Sequence, residues 1–300
     1  MKFLDALKKT ADFLDRAGIE SPPREAEMII AHCTEADRTF LHRDNPEISQ
    51  DVLGCILRLS QRRARREPLQ YIFGLVDFCG LKIKVGRGVL IPRPETELLV
   101  EEAISLFARV SQDNTDLAAG TQSEGSMGWK GKILDLCTGS GCIALAIAAA
   151  FRQAQVYGTD SSGVALEYAK ESAALNNIHN TGFLRGNLFE PLDKNMRFDL
   201  IIANPPYIKH DDLENLQPEI HIWEPAEALD GGKDGLDYYR AILGTAADHL
   251  EKGGTIMLEL GIGQAEAVRR IAKESGLRDI QVQRDYGGIE RILSGKSGMV

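Results

Sequence analysis

The stretch Asn204-Pro205-Pro206-Tyr207 ends a run of apolar residues with an amide, two prolines and an aromatic ring. Each proline fixes its own φ and keeps the preceding residue out of the helical region, so the backbone stays extended and lacks two N–H donors. The stretch therefore presents hydrogen-bond acceptors, namely the Asn204 side-chain oxygen and the Pro205 carbonyl. Two such acceptors suit a planar NH2 group, although a rigid turn is the alternative interpretation.

The chemistry that these acceptors suit is methylation of nitrogen. An amide or exocyclic amino nitrogen is a poor nucleophile because its lone pair is delocalised. Two acceptors that hold both N–H bonds orient the nitrogen toward an electrophilic methyl group. They also stabilise the positive charge that develops on nitrogen in the transition state. The Tyr207 ring is suited to form a wall beside the planar group.

A second stretch, Asp135 to Gly141 (D-L-C-T-G-S-G), follows a short apolar run and precedes a helical pattern. Glycines there let a ligand approach the backbone, and helix N-terminal amides favour ligand oxygens. Asp160 follows about 20 residues later at the end of the next apolar run, where an acidic residue binds ribose hydroxyls in nucleotide-binding folds. The alternatives are a tight turn for the loop and a helix cap for Asp160.

The glycine loop also indicates which nucleotide it suits. Ala144 stands where G-x-G-x-x-G would require its third glycine. A nicotinamide dinucleotide with its pyrophosphate is therefore less favoured than an adenosine ligand without phosphates. S-adenosylmethionine fits this requirement, and its sulfonium methyl is the electrophile that the asparagine stretch needs.

The elements that must position these residues alternate between strands and helices from Lys132 onward. Their apolar runs are ILDLC, QVYGTD, FDLIIAN and GTIMLEL, with helical patterns at 143–151 and 164–176 between them. This alternation predicts an α/β fold with a doubly wound, mainly parallel sheet. Ligands bind at the carboxyl ends of the strands in such sheets, so the asparagine stretch and the glycine loop should face one crevice.

The first part of the chain predicts a different organisation. Helical spacing, the Ser21-Pro22-Pro23 start and a helix from Ser49 indicate a helical bundle over residues 1–68. Two β-like runs, Tyr71–Phe73 and Leu81–Val85, predict a hairpin linker over residues 69–93. Residues 94–300 form the expected catalytic domain, interrupted by a polar, glycine-rich loop or linker at 111–130.

Composition narrows the functional classes further. The chain has 300 residues, 43% hydrophobic and 26% charged, which is ordinary globular composition. A net charge of -9 argues against a protein that binds mainly through phosphate neutralisation. The 5 cysteines lack a C-x-x-C pair and the N-terminus lacks a continuous apolar run, so we expect a cytoplasmic protein. We expect no membrane segment and no metal.

Several motifs together resemble the peptide chain release factor N5-glutamine methyltransferases, a family of class I methyltransferases with a Rossmann-like, seven-stranded, mainly parallel sheet and a small N-terminal helical domain. Besides Asp135–Gly141, Asp160 and Asn204–Tyr207, they are R-E-P-L-Q-Y-I at 66–72, F-C-G-L at 78–81, I-P-R-P-E-T-E at 91–97 and D-G-G-K-D-G-L-D-Y-Y-R at 230–240. The resemblance covers nearly the whole chain.

The resemblance implies a role for each matching residue. S-adenosylmethionine would contact Cys137, Thr138, Gly139, Ser140, Gly141, Asp160, Leu188 and Asn204. The substrate glutamine would contact Asn204, Pro205, Pro206 and Tyr207, with Asn204 and Pro205 as the catalytic pair. That glutamine is the one in the Gly-Gly-Gln loop of class 1 release factors, which the N-terminal helices would help to dock.

Two residues depart from the family pattern, since Cys137 and Asn187 stand where many members have glycine and aspartate. We expect Cys137 to be a buried, unreactive thiol, with a reactive thiol as the alternative. Asn187 can still exchange hydrogen bonds with adenine.

Other functions stay open at this point. Methylation of adenine N6 in DNA or RNA would use the same asparagine chemistry on a flipped base, and a binding module without catalysis is a second alternative. The run R-R-A-R-R at 62–66 is interpreted as a solvated helix face, with RNA contact as the alternative. We expect Glu95 and Glu97 to begin a helix and His210 to lie at the surface.

Overall fold

The computed structural model describes residues 1–113 and 129–298, except for the side chains of residues 109–113. The chain forms two compact units. The first unit comprises Met1–Leu75 and Gln217–Trp223, and the second comprises the remaining described residues. Most of the polar loop expected at 111–130 lies outside the described residues. Its first three residues instead belong to a helix that continues to Asp113.

The first unit is helical. Its helices are α1 (Phe3–Arg16), α2 (Pro22–Thr34), α3 (Arg38–Asp44), α4 (Gln50–Arg63) and α5 (Leu69–Phe73), joined by a short helix α9 (Pro218–His221) from later in the chain. Ser49 caps α4 by accepting a hydrogen bond from the Val52 amide, at 3.4 Å. Ser21 precedes α2 but its side chain makes no capping bond. The buried apolar faces meet in one core that includes Phe3, Leu14, Ile29, Ile30, Leu41 and Ile56.

The strand predicted at Tyr71–Phe73 is wrong, because these residues form the end of α5. Pro68 precedes the helix, and Leu69 and Ile72 bury their side chains in the core of the first unit. Gly74 then ends the helix at φ +75, where its amide reaches the Gln70 carbonyl. Tertiary burial therefore overrides the β preference of this aromatic and β-branched run.

The predicted solvated arginine face is also wrong for Arg63, whose side chain is 5% exposed. Its guanidinium bonds Glu25, with Nε 2.5 Å from Oε2, and its Nη2 lies 2.8 Å from a Glu219 carboxylate oxygen. Arg66 bonds the same Glu219 at 3.1 Å, and Arg62 bonds Glu67 at 2.9 Å. These arginines therefore hold the first unit together through internal ion pairs.

The second unit contains a seven-stranded sheet in the order β5-β4-β3-β6-β7-β9-β8. The strands are β3 (Lys132–Leu136), β4 (Gln155–Asp160), β5 (Thr181–Arg185), β6 (Phe198–Ala203), β7 (Leu250–Glu259), β8 (Arg278–Arg284) and β9 (Glu290–Lys296), while β1 (Leu75–Phe78) and β2 (Leu81–Lys84) form a hairpin. Only β9 runs antiparallel to β7 and β8. The predicted doubly wound, mainly parallel sheet is confirmed.

Helices complete the α/β unit. They are α6 (Pro94–Asp113), α7 (Cys142–Ala150), α8 (Gly163–Leu175), α10 (Asp237–Ala246) and α11 (Ala265–Glu274). Helix α7 is buried along most of its length, as expected for the helix after the first strand of a parallel sheet. A core between the sheet and α10 and α11 includes Phe198, Ile201, Tyr239, Ile242, Leu258 and Val268.

Strand register brings the predicted site residues to one edge of the sheet. Leu136 of β3 pairs with Thr159 of β4 and with Ala203 of β6, and Ala203 pairs with Leu258 of β7. Four parallel strands therefore finish at nearly the same level. The next residues along these strands are three predicted site residues, Cys137, Asp160 and Asn204, and on β7 Glu259, for which no role was predicted.

We predict that Arg63→Met destabilises the first unit by about 3 kcal/mol, because two carboxylates would lose their buried cation. Chemical denaturation monitored by circular dichroism measures the change. Arg65→Met, at an exposed position in the same run, should change stability by less than about 0.5 kcal/mol. Equal effects of the two substitutions would show that the buried ion pairs contribute nothing specific.

Candidate functional site

A cavity of about 410 Å³ opens at this edge of the second unit. Most of the predicted site residues line it, namely Cys137, Thr138, Gly139, Ser140, Asp160, Leu188, Asn204 and Pro206. Gly141, Pro205 and Tyr207 are not part of its lining. The volume lies within the range of small-molecule binding pockets. The structure thus brings the glycine loop and the asparagine stretch together, as the strand order predicted.

The two glycines of the loop serve different purposes. Gly141, at φ +79, packs so closely on α8 that an added Cβ would lie 2.9 Å from the Ala169 Cβ. Gly139, at φ +55, would meet no atom closer than 4.0 Å. Its missing side chain therefore leaves open space at the cavity wall, which is the condition for a ligand to approach the backbone.

Cys137 has φ +56, in the left-handed region that favours glycine. This conformation suits the glycine that the family resemblance implies for many members at this position. Desolvation, followed by the negative charges of Asp160 and Asp135, raises the pKa of the Cys137 thiol well above its ordinary value. The thiol is therefore held in its protonated, weakly nucleophilic form, which supports the interpretation of Cys137 as unreactive. The expectation that Cys137 is buried is wrong, because the residue is only partly buried and lines the cavity.

Asp160, the last residue of β4, connects this strand to the glycine loop through hydrogen bonds. One carboxylate oxygen accepts a hydrogen bond from the Gly139 amide at 2.9 Å, and the other accepts one from the Ser162 amide at 2.8 Å. Ser162, rather than Asp160, caps α8 through the Ala165 amide. Each Asp160 oxygen keeps a further lone pair for a ligand hydroxyl. Burial raises the pKa of this carboxyl group.

Asp135 is fully buried beneath the loop, and no separate role was predicted for it. Its Oδ2 accepts hydrogen bonds from the Thr138 hydroxyl at 2.5 Å and from the Ala144 amide at 3.1 Å. Its Oδ1 has no hydrogen-bond partner among the described residues. Burial raises the pKa of Asp135 to about 7. Asp135 therefore fixes the loop from below while its own ionisation is suppressed.

The asparagine stretch is held in place by Gln264 and by the glycines of the motif at 230–240, for which the sequence indicated only a family resemblance. Gln264 donates hydrogen bonds from Nε2 to the Tyr207 carbonyl at 2.9 Å and to the Gly235 carbonyl at 3.2 Å. An added Cβ on Gly231 would lie 2.7 Å from the Tyr207 Cα, and one on Gly235 would lie 2.5 Å from the Tyr207 oxygen. The glycines of D-G-G-K-D-G thus allow two backbones to pack directly together.

A chain of hydrogen bonds runs behind Asn204. Asn204 donates from Nδ2 to the Thr96 hydroxyl oxygen at 3.1 Å, and Thr96 donates to Glu259 Oε2 at 2.7 Å. Tyr207 donates from its hydroxyl to Glu259 Oε1 at 3.3 Å. Glu259 is 2% exposed, and burial raises its pKa to about 6. Thr96 belongs to the motif I-P-R-P-E-T-E, but no individual role was predicted for it. Sequence reasoning missed Glu259, although an acidic residue inside the apolar run GTIMLEL was a signal.

Leu188 and Asn187 also line the cavity. Leu188 has φ +48, which is unusual for a branched side chain and places its apolar surface at the wall. The expectations for Glu95, Glu97 and His210 are confirmed. Glu95 and Glu97 lie in the first turn of α6, and His210 is an exposed residue whose Nδ1 lies 2.7 Å from Asp230.

Within residues 1–113 and 129–298, no group of three or more His, Cys, Asp or Glu side chains is arranged to hold a metal ion. The same residues contain no helix with the length and apolar character that crossing a membrane requires.

We predict that the buried Asp135 makes the second unit less stable as pH rises from about 4 to about 7. The unfolded chain ionises this carboxyl near its ordinary pKa, while the folded chain holds the proton until about pH 7, so folding stability falls across this window. Asp135→Asn should remove that part of the pH dependence, up to about 4 kcal/mol. Urea unfolding of both proteins at pH 5 and pH 8 measures the difference. An unchanged pH slope in the variant would contradict this assignment.

Comparisons with known proteins agree with this geometry. Residues 5–74 match the model of the PrmC N-terminal domain, and residues 113–261 match the methyltransferase small domain. The hMettl16 catalytic domain in complex with MAT2A 3'UTR hairpin 6 aligns with a TM-score of 0.54 and 15% identity, covering 81% of this chain and 82% of its own. At that identity the likeness shows the fold alone.

Relatives in sequence are more informative. The release factor glutamine methyltransferase of Thermodesulfovibrio yellowstonii is 47% identical, covering 90% of this chain and 91% of its own length. The release factor glutamine methyltransferase of Geobacter sulfurreducens is 40% identical, covering 96% of this chain and 94% of its own length. Similarity of this extent includes both units and the site. The chain belongs to the release factor glutamine methyltransferase family.

Proposed function

We propose that the chain transfers the methyl group of S-adenosylmethionine to the side-chain amide nitrogen of the glutamine in the Gly-Gly-Gln loop of class 1 peptide chain release factors. One observation carries the proposal: Asn204 lines the same cavity as the glycine loop and Asp160. An acceptor for an NH2 group and a site for an adenosine ligand therefore share one space. The names of the relatives support the choice of glutamine over other amides.

The residues of the cavity fit S-adenosylmethionine. The open space at Gly139 admits a ligand against the backbone, and Asp160 offers charged acceptors to the ribose hydroxyls. Leu188 offers apolar surface for the adenine ring, and Cys137 to Gly141 would hold the methionine end. When bound there, S-adenosylmethionine supplies an electrophilic methyl group on sulfur.

The asparagine stretch would prepare the glutamine amide. Asn204 Oδ1 would accept one N–H bond of the substrate from within the cavity, and the Pro205 carbonyl, which is not part of the cavity lining in this structure, would accept the other. Two such bonds would fix the direction of the nitrogen lone pair. Both acceptors also stabilise the positive charge that grows on nitrogen as the new bond forms. Pro206 lines the cavity and Tyr207 lies behind it, so the Tyr207 ring supports the stretch instead of covering the cavity directly.

The remaining parts of the proposal concern partner and compartment. We assign release-factor docking to the N-terminal helical bundle, expected at residues 1–68, and catalysis to the domain expected at residues 94–300. The linker expected at residues 69–93 is not one hairpin, because it begins with α5 of the first unit and continues with β1 and β2 of the second unit. Stable nucleic-acid binding is not part of the proposal, because the net charge is -9 and three arginines of the basic run form internal ion pairs. The five free thiols fit the reducing cytoplasm.

The test is transfer of labelled methyl from S-adenosylmethionine to a purified class 1 release factor. The same factor with its Gly-Gly-Gln glutamine replaced, and unmethylated DNA, serve as parallel substrates. We expect label on the intact factor alone. Label on DNA would instead assign the asparagine stretch to adenine N6, and label on neither, with no calorimetric binding of S-adenosylmethionine, would indicate a fold without catalysis.

Asn204→Ala and Asp160→Ala should separate chemistry from cofactor binding. We expect Asn204→Ala to lower turnover by about 10²-fold or more while S-adenosylmethionine affinity stays close to wild type. Asp160→Ala should first weaken S-adenosylmethionine binding, by about tenfold to a hundredfold, because charged hydrogen bonds to ribose are lost. Radiometric assays and isothermal titration calorimetry measure the two quantities.

Exposed residues of the same types provide the controls. Asn195 and Asp248 are exposed residues of the second unit. Neither Asn195→Ala nor Asp248→Ala should change turnover or S-adenosylmethionine affinity more than about twofold. Equal losses of binding and turnover in Asn204→Ala would mean that the asparagine stretch is only structural. Unchanged cofactor affinity in Asp160→Ala would remove the ribose assignment.

A further inference from the structure

We propose that Thr96 and Glu259 are positioning residues that set the polarity of the Asn204 side-chain amide, so that its oxygen and not its nitrogen faces the substrate. An asparagine amide can present either group after a half-turn about its last side-chain bond. Only the oxygen can accept a hydrogen bond from a substrate NH2 group. The inference rests on the proposed function, because it specifies how Asn204 would recognise that substrate.

The polarity follows from the donors and acceptors in the chain of hydrogen bonds. An ionised carboxylate only accepts, so the single hydroxyl proton of Thr96 is committed to Glu259 Oε2, at 2.7 Å. The Thr96 oxygen can then only accept from Asn204, at 3.1 Å. The atom of Asn204 that faces Thr96 must therefore be the donor, Nδ2. The carbonyl oxygen Oδ1 is left on the other side of the amide.

The surroundings hold this chain of hydrogen bonds in place. Thr96 is 1% exposed and Glu259 is 2% exposed, so water does not compete for their bonds. Tyr207 donates to the second Glu259 oxygen at 3.3 Å, and Tyr239 donates to the Glu259 backbone carbonyl at 2.9 Å. Register places Ala203 opposite Leu258, which brings Asn204 and Glu259 side by side at the ends of β6 and β7.

Without an ionised Glu259, the polarity is no longer determined. A protonated Glu259 could donate to the Thr96 oxygen, which frees the Thr96 hydroxyl to donate to Asn204 Oδ1. The amide would then turn its NH2 group toward the substrate NH2 group, and the two donors would not bond. The site would keep its shape and its cofactor pocket but lose the acceptor that orients the nucleophile.

The charged and titratable groups around Glu259 decide when this happens. Burial raises its pKa to about 6, whereas Thr96 on α6, Arg291 on β9 and Tyr207 lower it, and Glu95 on α6 raises it slightly. Glu259 is therefore ionised above about pH 6, and protonation below that value releases the Thr96 hydroxyl. We expect wild-type kcat to fall on the acid side with an apparent pKa near 6.

The experiment compares Thr96→Val, Thr96→Ser and Glu259→Gln in methyl transfer to a class 1 release factor. We expect Thr96→Val to lower kcat by about 10²-fold, with S-adenosylmethionine affinity within about twofold of wild type. Glu259→Gln should lower kcat by a smaller factor, because the glutamine oxygen can still accept from Thr96 but the amide no longer excludes the opposite polarity. Thr96→Ser, which keeps the hydroxyl, should stay within about threefold of wild type. In Glu259→Gln, kcat should also no longer fall as pH decreases through about 6. Wild-type kcat in Thr96→Val would overturn the inference.

Matched controls address folding. Thr255→Val replaces a buried threonine of β7, and Glu251→Gln replaces an exposed carboxylate of the same strand. Neither should alter the kcat profile. Thermal unfolding of every variant identifies proteins that fail to fold. If Thr96→Val unfolds, Glu259→Gln and Thr96→Ser decide the outcome, since loss of the fall in kcat at acid pH and rescue by serine are not effects of general destabilisation.

A measurement without turnover separates this inference from the proposed function. In protein labelled with ¹⁵N-asparagine, the Asn204 side-chain NH2 signal, assigned by its loss in Asn204→Ala, should shift near pH 6 in wild type and not in Glu259→Gln. If no release factor is methylated but the signal titrates, the proposed function fails and the polarity inference stands. If the release factor is methylated but the Asn204 signal does not change with pH, the polarity inference fails and the proposed function stands.

Discussion

The common level at which β3, β4, β6 and β7 end is the constraint on which the site depends. Parallel pairing fixes Leu136 beside Thr159 and Ala203, and Ala203 beside Leu258. Because a register shift of one residue would turn each side chain to the opposite face, the pairing also fixes which residues meet at the cavity. Asp160 and Asn204 share one space only because their strands end together.

Acidic side chains are placed in the interior around this edge, and each is accommodated by directed hydrogen bonds. Asp135 receives bonds from Thr138 and Ala144, Asp160 from Gly139 and Ser162, and Glu259 from Thr96 and Tyr207. Burying an ionised carboxylate is costly unless such donors replace water. The bonds do not compensate fully, which is why the pKa of all three groups is raised. The donors in return are fixed in place, so these carboxylates define the geometry of the loop and of the asparagine stretch.

The first unit buries positive charge, and it also does so by pairing the charged groups. A five-residue run containing four arginines would repel itself as an open face, and the structure pairs three of them with glutamates of α2, α9 and the segment after α4. Arg63 can be buried because two carboxylates meet its guanidinium. Glu219 of α9 belongs to the segment Gln217–Trp223. This segment of the first unit follows Val76–Leu216 of the second unit in the chain.

The sequence by itself determined the features that depend on local patterns. Helical spacing in α1 and α4, the apolar runs of β4 and β6 and the glycines of the loop could be interpreted directly, since periodicity and turn chemistry act over a few residues. Tertiary structure decided what depends on distant partners. Thr96 meets Glu259 across 163 residues and Arg66 meets Glu219 across 153, and no local pattern encodes either pairing. Tyr71–Phe73 became helical for the same reason, because burial of Leu69 and Ile72 outweighed their neighbours' preference for a strand. The identities of the reactive groups are therefore readable in the sequence, whereas their orientation comes from packing.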